Sequence, residues 1–379
     1  MKVIISDVES RKGLDVVNLV QNLYRLPVIL AAGKDFGPKL KLIYRQPVFA
    51  LRSSNYEIFE SDLKIILHRF PNESIVYLPV SEKATGHFYS FIENNTYENL
   101  KCLLPPRIAF DSTRDKYLFQ QYCQQHELPV PKSFDSFDLD IVRANFRPLI
   151  VKPRKGEGSV GIVHIDNAED MVRLDGIDLS KYVVQEKIID GHKVEGAFFL
   201  CENGVLITAY SHKRIRTFPE IGGVTVFSGC DYNNSIINIG SDLLKKLNWS
   251  GVAMIEFLFD KESGKWKMIE LNPRLWGSVL LSGFNSSNML LNYVNMSLGR
   301  PIEISSLRLN TYIQWLYPFE IMNFMKGKLS FANLVNKRGL DICYINITYG
   351  TFWRKCSYFF YFTFNTSSIK RFLKKLRKL

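Results

Sequence analysis

Short apolar runs alternate with amphipathic stretches over the first hundred residues. Five segments follow one another as strand, helix, strand, helix and strand, judged by the spacing of their apolar positions: 2–6, 14–24, 27–31, 60–69 and 74–78. Strands that alternate with helices predict a parallel sheet covered by helices. Pro105 and Pro106 interrupt the alternation. The pattern therefore predicts an open α/β domain over residues 1–108.

The pattern changes after this domain. Residues 111–125 have helical spacing and begin with hydroxyl and acidic residues that can cap a helix. The segments after residue 148 are three hairpin-like units with glycine-containing turns, then two helices: 149–165, 183–200, 204–211, 235–247 and 288–298. We predict an α/β protein whose middle part is α+β, in two subdomains over 109–184 and 185–300. An extension over 301–379 follows.

Length and composition restrict the class of protein. A chain of 379 residues is too long for one ordinary core, which predicts two or three domains. Hydrophobic residues make up 46% and charged residues 23%, as is typical of globular proteins. No run of eighteen apolar residues occurs, and the interrupted apolar start predicts a first strand, not a signal peptide. The six cysteines lie far apart without a CxxC pair, which predicts reduced thiols in the cytoplasm.

The net charge of +12 is unevenly distributed. Residues 342–379 hold eight Lys or Arg and no Asp or Glu, so the other 341 residues carry +4, and nothing in them predicts a nucleic-acid partner. Residues 352–364 include eight aromatics, and a basic amphipathic helix can start at Ser368. This composition is typical of a helix on the anionic inner face of a membrane. The alternative is a helix docked on its own protein with a solvated basic face.

The most informative chemical feature is a pair of carboxylates in a predicted hairpin. Two apolar, strand-like segments flank turn residues at 260–264. A hairpin centred near Ser263 places Glu256 opposite Glu270. The strand period of two places Asn272 on the same face as Glu270. Because like charges opposite each other destabilise a ladder, this arrangement predicts a hard cation such as Mg²⁺, accompanied by phosphates. The alternative is two solvated strand glutamates.

A glycine loop follows a strand that ends near Lys152. Residues 156–161 read GxGxxG, and the β-branched residues at 162–165 predict a second strand, whereas a dinucleotide-binding fingerprint needs a helix there. A protein kinase is excluded by motif order, since Lys152 precedes the loop, and no Walker A sequence is present. We predict a flap whose backbone N–H groups close over phosphates, which requires glycine because only glycine lets the backbone approach so closely.

With Lys116, Lys152, the flap and the two-glutamate hairpin in this order, residues 111–299 resemble the ATP-grasp superfamily of carboxylate-amine ligases. The resemblance implies two α+β subdomains that clamp ATP, with Lys116 and Lys152 on its phosphates. It also implies nucleotide contacts from the flap (Gly156, Gly158, Ser159, Gly161), from a purine-edge hinge (Gln185, Glu186 and the backbone of Lys187 and Ile188) and, for the ribose, from Glu195.

The same resemblance implies the metal site and the catalytic groups. Glu256, Glu270 and Asn272 occupy the place of the family's Mg²⁺ ligands, with Mn²⁺ as an alternative ion. Arg274 matches its phosphate-facing arginine and is assigned to catalysis together with Lys152. Arg214 and its neighbour Arg216 are candidates to hold a substrate carboxylate.

The residues at 212–226 and 272–278 are similar to a subgroup that includes carbamoyl-phosphate synthase large subunits and D-aspartate ligases, some of them associated with bacterial surface polysaccharide. The implied activity joins a small carboxylic acid to an amine through an acyl phosphate, and the family resemblance suggests a homodimer. Two alternatives stay open: a nucleotide-binding scaffold of the same fold without turnover, and a membrane-associated adaptor that depends on the basic tail.

Overall fold

The structure is a computed structural model that describes residues 1–33, 40, 43–134, 146–156, 161–188, 194–218, 223–316 and 320–330 and the backbone of 342–345. Its strands, in chain order, are β1 (Lys2–Ile5), β2 (Val28–Ala32), β3 (Val48–Ala50), β4 (Ile75–Leu78), β5 (Leu100–Lys101), β6 (Ser133–Phe134), β7 (Leu149–Pro153), β8 (Val163–Ile165), β9 (Tyr182–Glu186), β10 (Glu195–Glu202), β11 (Val205–Phe218), β12 (Val224–Asp231), β13 (Gly251–Asp260), β14 (Lys265–Asn272), β15 (Thr311–Gln314) and β16 (Ile342–Ile345).

Its α-helices are α1 (Arg11–Val17), α2 (Tyr56–Arg69), α3 (Glu82–Asn94), α4 (Arg107–Arg114), α5 (Lys116–Gln125), α6 (Asn234–Lys246), α7 (Leu281–Phe284), α8 (Met289–Ser297) and α9 (Ile321–Met325). Shorter π- and 3₁₀-helical segments lie at Asn18–Leu23, Ala168–Leu174 and Leu179–Lys181. The chain divides into two compact units. Unit 1 comprises 1–104, 213–231 and 274–379, and unit 2 comprises 105–212 and 232–273.

Unit 1 begins with a parallel sheet in the order β3-β2-β1-β4-β5. Strands β1 and β4 are apolar and almost fully buried, as expected when helices cover both faces. Helices α1, α2 and α3 each start at a Ser or Asn whose side chain accepts a hydrogen bond from a first-turn N–H. The predicted α/β class is confirmed. The first helix, predicted over 14–24, begins earlier at Arg11 and continues into a π-helical turn.

The later segments of unit 1 contribute β12, β15 and β16, of which β12 pairs antiparallel with β15 and β15 parallel with β16. Trp315 Nε1 donates a hydrogen bond to Asp15 Oδ2 at 2.8 Å in the interior of this unit. Burial raises the pKa of Asp15 to about 6, against the lowering effects of Arg11 and of the Trp315 hydrogen bond. The domain boundaries predicted at 108, 184 and 300 stay predictions.

Unit 2 contains the sheet β6-β9-β7-β8 and the antiparallel ladder β14-β13-β10-β11, in which β11 reaches His212 within this unit. The first sheet packs one face on the 3₁₀ segments through Leu149, Val151, Ile165, Met171, Leu174 and Val184. The ladder packs on α5 and α6 around Phe119, Phe199, Leu243, Trp249 and Phe257. These buried apolar faces hold both sheets in place.

The hairpin predicted over 183–200 is wrong. Its two strands belong to different sheets, since β9 pairs with β6 and β7, whereas β10 pairs with β11 and β13. Both segments have strand character, but spacing along the chain does not determine which partner a strand chooses. The unit predicted over 149–165 is confirmed, because β7 and β8 pair antiparallel on either side of the glycine loop.

Candidate active site

Strands β13 and β14 bring the two predicted carboxylates together. Glu256 pairs with Glu270 in the ladder, as the sequence predicts. Asn272 lies beside them, and its Nδ2 donates to Glu270 Oε1 at 3.0 Å. The register depends on a β-bulge directly after Glu256, where Ile269 is the additional residue of β14. The bulge therefore positions the carboxylate pair.

This trio offers two carboxylates and an amide oxygen to a ligand. Because Asn272 donates to Glu270 through Nδ2, its oxygen atom Oδ1 is not used in that hydrogen bond. Oxygen ligands of this kind suit Mg²⁺, which usually shares its coordination shell with waters and substrate phosphates. In the part of the chain that the structure describes, no group of three or more His, Cys, Asp or Glu side chains is arranged to hold a metal. With two carboxylates and one amide oxygen, the trio is a candidate site for an ion that completes its coordination shell with other ligands.

Lys152 lies near the end of β7 with 8% of its surface exposed. Burial lowers its pKa to about 8, although Glu270 and Glu256 raise it, and Lys116 lowers it further. These influences place Lys152 within electrostatic reach of both carboxylates and of the second lysine. Because burial disfavours the ammonium charge of Lys152, a phosphate that approaches this side chain would stabilise the charge.

Lys116 is the first residue of α5 and joins the carboxylates to the flap. Its Nζ lies 3.5 Å from Glu270 Oε2 and donates to the carbonyl oxygen of Gly156 at 3.1 Å. Gly156 has a φ of 139°, which L side chains rarely adopt, although the position that a Cβ would take is open. The beginning of the flap thus needs glycine and is held by Lys116.

The flap runs from β7 to β8, and these strands pair through Val151 and Val163. The strand–loop–strand order predicted from the sequence is therefore confirmed. Gly161, at the far end of the loop, has a φ of 79°, so a side chain there would be strained. Gly158 and Ser159 lie outside the described residues.

An ion pair that the sequence analysis missed joins the two elements that carry the lysines. Asp115 caps α5 by accepting from the Tyr117 N–H at 3.0 Å, and it is 4% exposed. Arg154 donates to both oxygens of Asp115, from Nε at 3.1 and 3.2 Å and from Nη2 at 3.0 Å. The Lys116 N–H also donates to the Arg154 carbonyl at 2.9 Å. The Asp115–Arg154 pair fixes the start of α5 against the end of β7, two residues beyond Lys152.

The predicted hinge residues make contacts inside unit 2. Glu186 accepts from Lys267 Nζ at 2.7 Å and from the Lys132 N–H at 2.8 Å, and its own N–H donates to the Lys132 carbonyl at 2.9 Å. The Lys187 N–H donates to the Pro148 carbonyl at 2.8 Å. These groups hold the hinge in shape, and the purine-edge roles assigned to them stay predictions.

The remaining nucleotide candidates are also in unit 2. Gln185 is 2% exposed and donates from Nε2 to Gln120 Oε1 at 2.6 Å. Ile188, two residues beyond the end of β9, is partly exposed. Glu195 opens β10, and its Oε2 accepts from Asn233 Nδ2 at 3.2 Å. Unit 2 therefore brings together the predicted lysines, hinge, flap ends and metal ligands.

The predicted arginines belong to unit 1. Arg214 Nη2 donates to the carbonyl oxygen of Gly223. Arg216 forms an ion pair with Glu320, which is fully buried, and its Nε donates to Glu320 Oε1 at 2.6 Å. Because Glu320 neutralises Arg216, Arg214 is the better candidate of the two for a substrate carboxylate.

Arg274 begins a loop that helix α1 supports. Its Nη1 donates to the carbonyl oxygen of Leu275 at 3.1 Å, and Lys12 Nζ donates to the same oxygen at 3.2 Å. Arg11 Nη2 donates to the carbonyl oxygen of Gly277 at 3.3 Å. The sequence gives no local signal for these supports, because the helix and the loop are far apart in the chain.

Comparison with known proteins agrees with this geometry. A family model described as an ATP-grasp domain matches residues 113–278. The D-aspartate ligase of Enterococcus faecium (strain Aus0004) is 22% identical over 258 residues, which cover 60% of this chain and 60% of the ligase. The alignment thus spans about three fifths of that curated relative.

Solved structures show the same fold. Biotin carboxylase from Campylobacter jejuni, solved as a β-γ-ATP complex, has a TM-score of 0.61 at 15% identity. The match covers 82% of this chain and 74% of the biotin carboxylase chain. N5-carboxyaminoimidazole ribonucleotide synthetase from Thermus thermophilus has a TM-score of 0.57 at 13% identity, with 81% of each chain covered. The biotin carboxylase domain of the Hydrogenobacter thermophilus 2-oxoglutarate carboxylase, solved with MgADP, ADP and bicarbonate, has a TM-score of 0.61 at 14% identity, with 82% of this chain and 73% of that chain covered. Within the described residues, none of the helices combines the length and apolar character needed to cross a membrane.

Proposed function

Because the chain contains an ATP-grasp domain over residues 113–278, we propose that the protein is an ATP-dependent ligase that forms an amide from a carboxylic acid and an amine. The observation that carries the proposal is the opposition of Glu256 and Glu270, with Asn272 beside them and two lysines close by. This arrangement supplies oxygens for a divalent ion and cations for phosphates in one place.

The reaction consists of two displacements. A carboxylate oxygen of the acid attacks the γ-phosphorus of ATP, the bond to the β–γ bridging oxygen breaks, and an acyl phosphate and ADP form. The amine nitrogen then attacks the acyl carbon, loses a proton and releases inorganic phosphate. Neither displacement needs a covalent bond to the protein, so catalysis consists of positioning and electrostatic stabilisation.

Lys152 and Lys116 bind phosphate oxygens in this proposal. Burial already disfavours the charge on Lys152, so a phosphate oxygen replaces the solvent that the lysine lacks. Lys116 contacts both Gly156, at the start of the flap, and Glu270, and so joins the flap to the proposed metal site. Glu256, Glu270 and Asn272 would hold Mg²⁺, with Mn²⁺ as an alternative. When bound, such an ion neutralises the charge of the transferring phosphoryl group.

Arg274 is assigned to the transferring phosphoryl group and Arg214 to the substrate carboxylate. A planar guanidinium fits both kinds of oxygen pair, and lysine would be a poor substitute. The support for Arg274 is its place two residues after Asn272 in the chain. The support for Arg214 is that Glu320 neutralises Arg216.

The acid is proposed to be a small amino acid, with D-aspartate the first to test, because the curated relative is a D-aspartate ligase. A wider panel of L-amino acids, uronic acids and nucleotide sugars tests the proposed role in surface polysaccharide synthesis. That role is supported by the similarity of residues 212–226 and 272–278 to the subgroup that includes carbamoyl-phosphate synthase large subunits. The nitrogen acceptor is tested in the same panel.

The experiment measures acid-dependent ADP formation by the purified protein with Mg-ATP. Hydroxylamine replaces the amine and traps an acyl phosphate as a hydroxamate. We expect both products with at least one acid. Nucleotide binding without ADP formation for any acid would favour the non-catalytic scaffold, and the absence of nucleotide binding would overturn the proposal.

The setting of the enzyme is also proposed. The thiols of Cys102, Cys123, Cys201 and Cys230 are free, which supports a reducing cytoplasm. The basic tail, residues 352–379, is proposed to contact the inner membrane face, and the support is its composition, since it lies outside the described residues. Sedimentation of the full chain with anionic vesicles tests the tail, and light scattering tests the proposed homodimer.

A further inference from the structure

The side chain of Arg11 joins two segments of unit 1 that are far apart in the chain. Its Nη1 donates to the carbonyl oxygen of Thr225 at 3.4 Å, and its Nη2 donates to the carbonyl oxygen of Gly277 at 3.3 Å. All of these residues belong to unit 1. Because both nitrogens belong to one planar guanidinium, the fork relates the positions of the two carbonyls. Arg11 therefore holds the start of β12 and the loop after β14 in one arrangement.

The segment at the start of β12 also holds Arg214. Arg214 Nη2 donates to the carbonyl oxygen of Gly223, which lies two residues before Thr225. Arg214 is proposed to bind the substrate carboxylate, so a shift of this segment would move the guanidinium that the carboxylate meets. Arg11 thus contacts the backbone that places the proposed carboxylate-binding group.

The loop after β14 holds Arg274 in the same way. Arg274 Nη1 donates to the carbonyl oxygen of Leu275 at 3.1 Å, and Leu275 lies two residues before Gly277. The Leu275 N–H donates to the Pro79 carbonyl at 2.9 Å, which fixes the loop just beyond the end of β4. Arg274 is proposed to bind the transferring phosphoryl group. The two segments that Arg11 joins are therefore the ones that support the two proposed arginines.

Arg11 is itself held by Trp315 and Asp15. Its guanidinium carbon lies 5.3 Å from the centre of the Trp315 ring. Trp315 Nε1 donates to Asp15 Oδ2 at 2.8 Å, and Asp15 is buried. Burial raises the pKa of Asp15 to about 6 and the positive charge of Arg11 lowers it, so the two groups are electrostatic neighbours. An aromatic face and a buried carboxylate thus restrict where the guanidinium can lie.

We propose that Arg11 is a positioning residue that sets the spacing between Arg214 and Arg274 and so aligns the substrate carboxylate with the phosphoryl group that it attacks. The inference rests on the proposed function, from which it takes the roles of these two arginines. Arg11 itself touches neither substrate. A misplacement of about 1 Å between reacting groups can lower a rate on the order of a hundredfold. Loss of Arg11 should therefore affect kcat more than nucleotide binding, since the lysines assigned to the ATP phosphates belong to unit 2.

The kinetic test measures acid-dependent ADP formation, with D-aspartate as the first acid and hydroxylamine as the acceptor. We expect Arg11→Met to lower kcat about thirtyfold and to raise the KM for the acid about fivefold. The dissociation constant of Mg-ATP should change by less than about twofold. Arg11→Lys keeps a cation beside Asp15 and Trp315 without the planar fork, so it should restore the melting temperature but not kcat. Full kcat in Arg11→Lys would overturn the inference, because charge alone would then suffice.

Lys2→Met is the matched control. Lys2 Nζ lies 5.4 Å from the centre of the Phe70 ring and 3.5 Å from Glu73 Oε1, so it has an aromatic and an acidic neighbour, as Arg11 has. Lys2 begins β1, whereas Arg11 follows the end of this strand, and ligands of open α/β sheets bind beyond the carboxyl ends. Lys2→Met should therefore keep kcat and both affinities. A loss of kcat as large as that of Arg11→Met would overturn the inference, because destabilisation would explain both variants.

Hydrogen exchange of the full chain measures the joining of the two segments without any substrate. We expect Arg11→Met to raise the exchange rates of peptides covering 223–227 and of peptides covering 274–278 about threefold or more. Lys2→Met should leave both sets of rates unchanged. An increase in only one of the two segments, or in neither, would overturn the inference whatever the activity of the variant.

The outcomes separate this inference from the ligase proposal. If ADP forms but Arg11→Met keeps the kcat and KM of the unmodified protein, the positioning role is wrong and the ligase proposal stands. If no acid stimulates ADP formation in the unmodified protein, the ligase proposal is overturned and the kinetic role of Arg11 with it. The exchange experiment then still decides whether Arg11 joins the two segments.

Discussion

The hairpin of β13 and β14 has two carboxylates near each end, with one lysine at the turn end and two lysines, Lys116 and Lys152, at the bulge end. At the turn end, Lys267 Nζ lies 2.9 Å from Asp260 Oδ2 and 2.7 Å from Glu186 Oε1. Burial lowers the pKa of Lys267, but the hydrogen bonds to Glu186 and Asp260 outweigh this effect and the pKa is raised overall. Direct contact therefore stabilises the charges at this end.

At the bulge end, the balance is reversed. Burial lowers the pKa of Lys152 to about 8, the nearby Lys116 lowers it further, and the attraction of Glu270 and Glu256 does not compensate. The carboxylates here lie opposite each other in the ladder, which is destabilising on its own. The comparison shows how one hairpin combines an end made for stability with an end whose charges need a ligand, as expected where function conflicts with local stability.

The largest expected effect comes from changing the carboxylate pair. Glu270→Gln keeps the shape but removes one anionic ligand, so we expect acid-dependent ADP formation to fall by about a hundredfold or more. The matched control is Glu262→Gln in the turn of the same hairpin, which should retain full activity. Steady-state ADP release checks both. Equal activity of the two variants would contradict the division between the hairpin's ends.

Lys152 should make nucleotide binding depend on pH. Its charged form predominates below a pKa of about 8, so the affinity for Mg-ATP should fall as the pH rises from about 7.5 to about 9.5. Lys152→Met should bind Mg-ATP about tenfold or more weakly, without this dependence. Calorimetry across the range measures both. A wild-type affinity that stays constant with pH would contradict the prediction.

The same group predicts a stability effect with a definite sign. The pKa of Lys152 is lower in the folded protein than the usual value of 10.5, so the unfolded chain binds more protons between about pH 8 and 10.5. The free energy of unfolding contributed by this group should therefore rise with pH across that window. Chemical denaturation of the ligand-free protein, compared with Lys152→Met, isolates its contribution.

The turn end should respond in stability and only slightly in activity. Lys267→Met leaves Glu186 and Asp260 without their cation, and we expect the free energy of unfolding to fall by about 2 kcal/mol. Lys265→Met, an exposed lysine in the same strand, is the control and should change it by less than about 0.5 kcal/mol. Denaturant titration checks this. A hundredfold loss of turnover in Lys267→Met would show that the two ends do not have separate roles.

The carboxylate pairing could be predicted because the strand period of two is a local property. The bulge that produces this pairing could not be predicted. The turn occupies 261–264, so a regular hairpin would have its centre between Glu262 and Ser263 and would pair Glu256 with Ile269. The bulge at Ile269 restores the predicted partner. Bulges respond to packing on both faces of a strand, which the spacing of residues does not record.

Long-range contacts limited the prediction elsewhere. The acidic residue before Lys116 gave a readable capping signal, but its ion pair with Arg154 joins residues 39 apart. The hinge at Gln185 could be located from a motif. The partners of Glu186 could not, because Lys132 lies just before β6 and Lys267 lies in β14. Local patterns thus predict elements and candidate residues, and tertiary packing decides which polar groups are already occupied.

The smallest expected effect tests how the bulge end is supported. Arg154 and Asp115 form a direct ion pair like those at the turn end, but this pair positions Lys116 and Lys152 for a ligand. Arg154→Gln should raise the KM for ATP about fivefold through a looser phosphate site. Arg173→Gln breaks an ion pair with Asp170 in the same unit, and it should leave the KM unchanged. If the two variants have equal KM values and equal losses of melting temperature, the Asp115–Arg154 pair stabilises the fold but does not position the phosphate site.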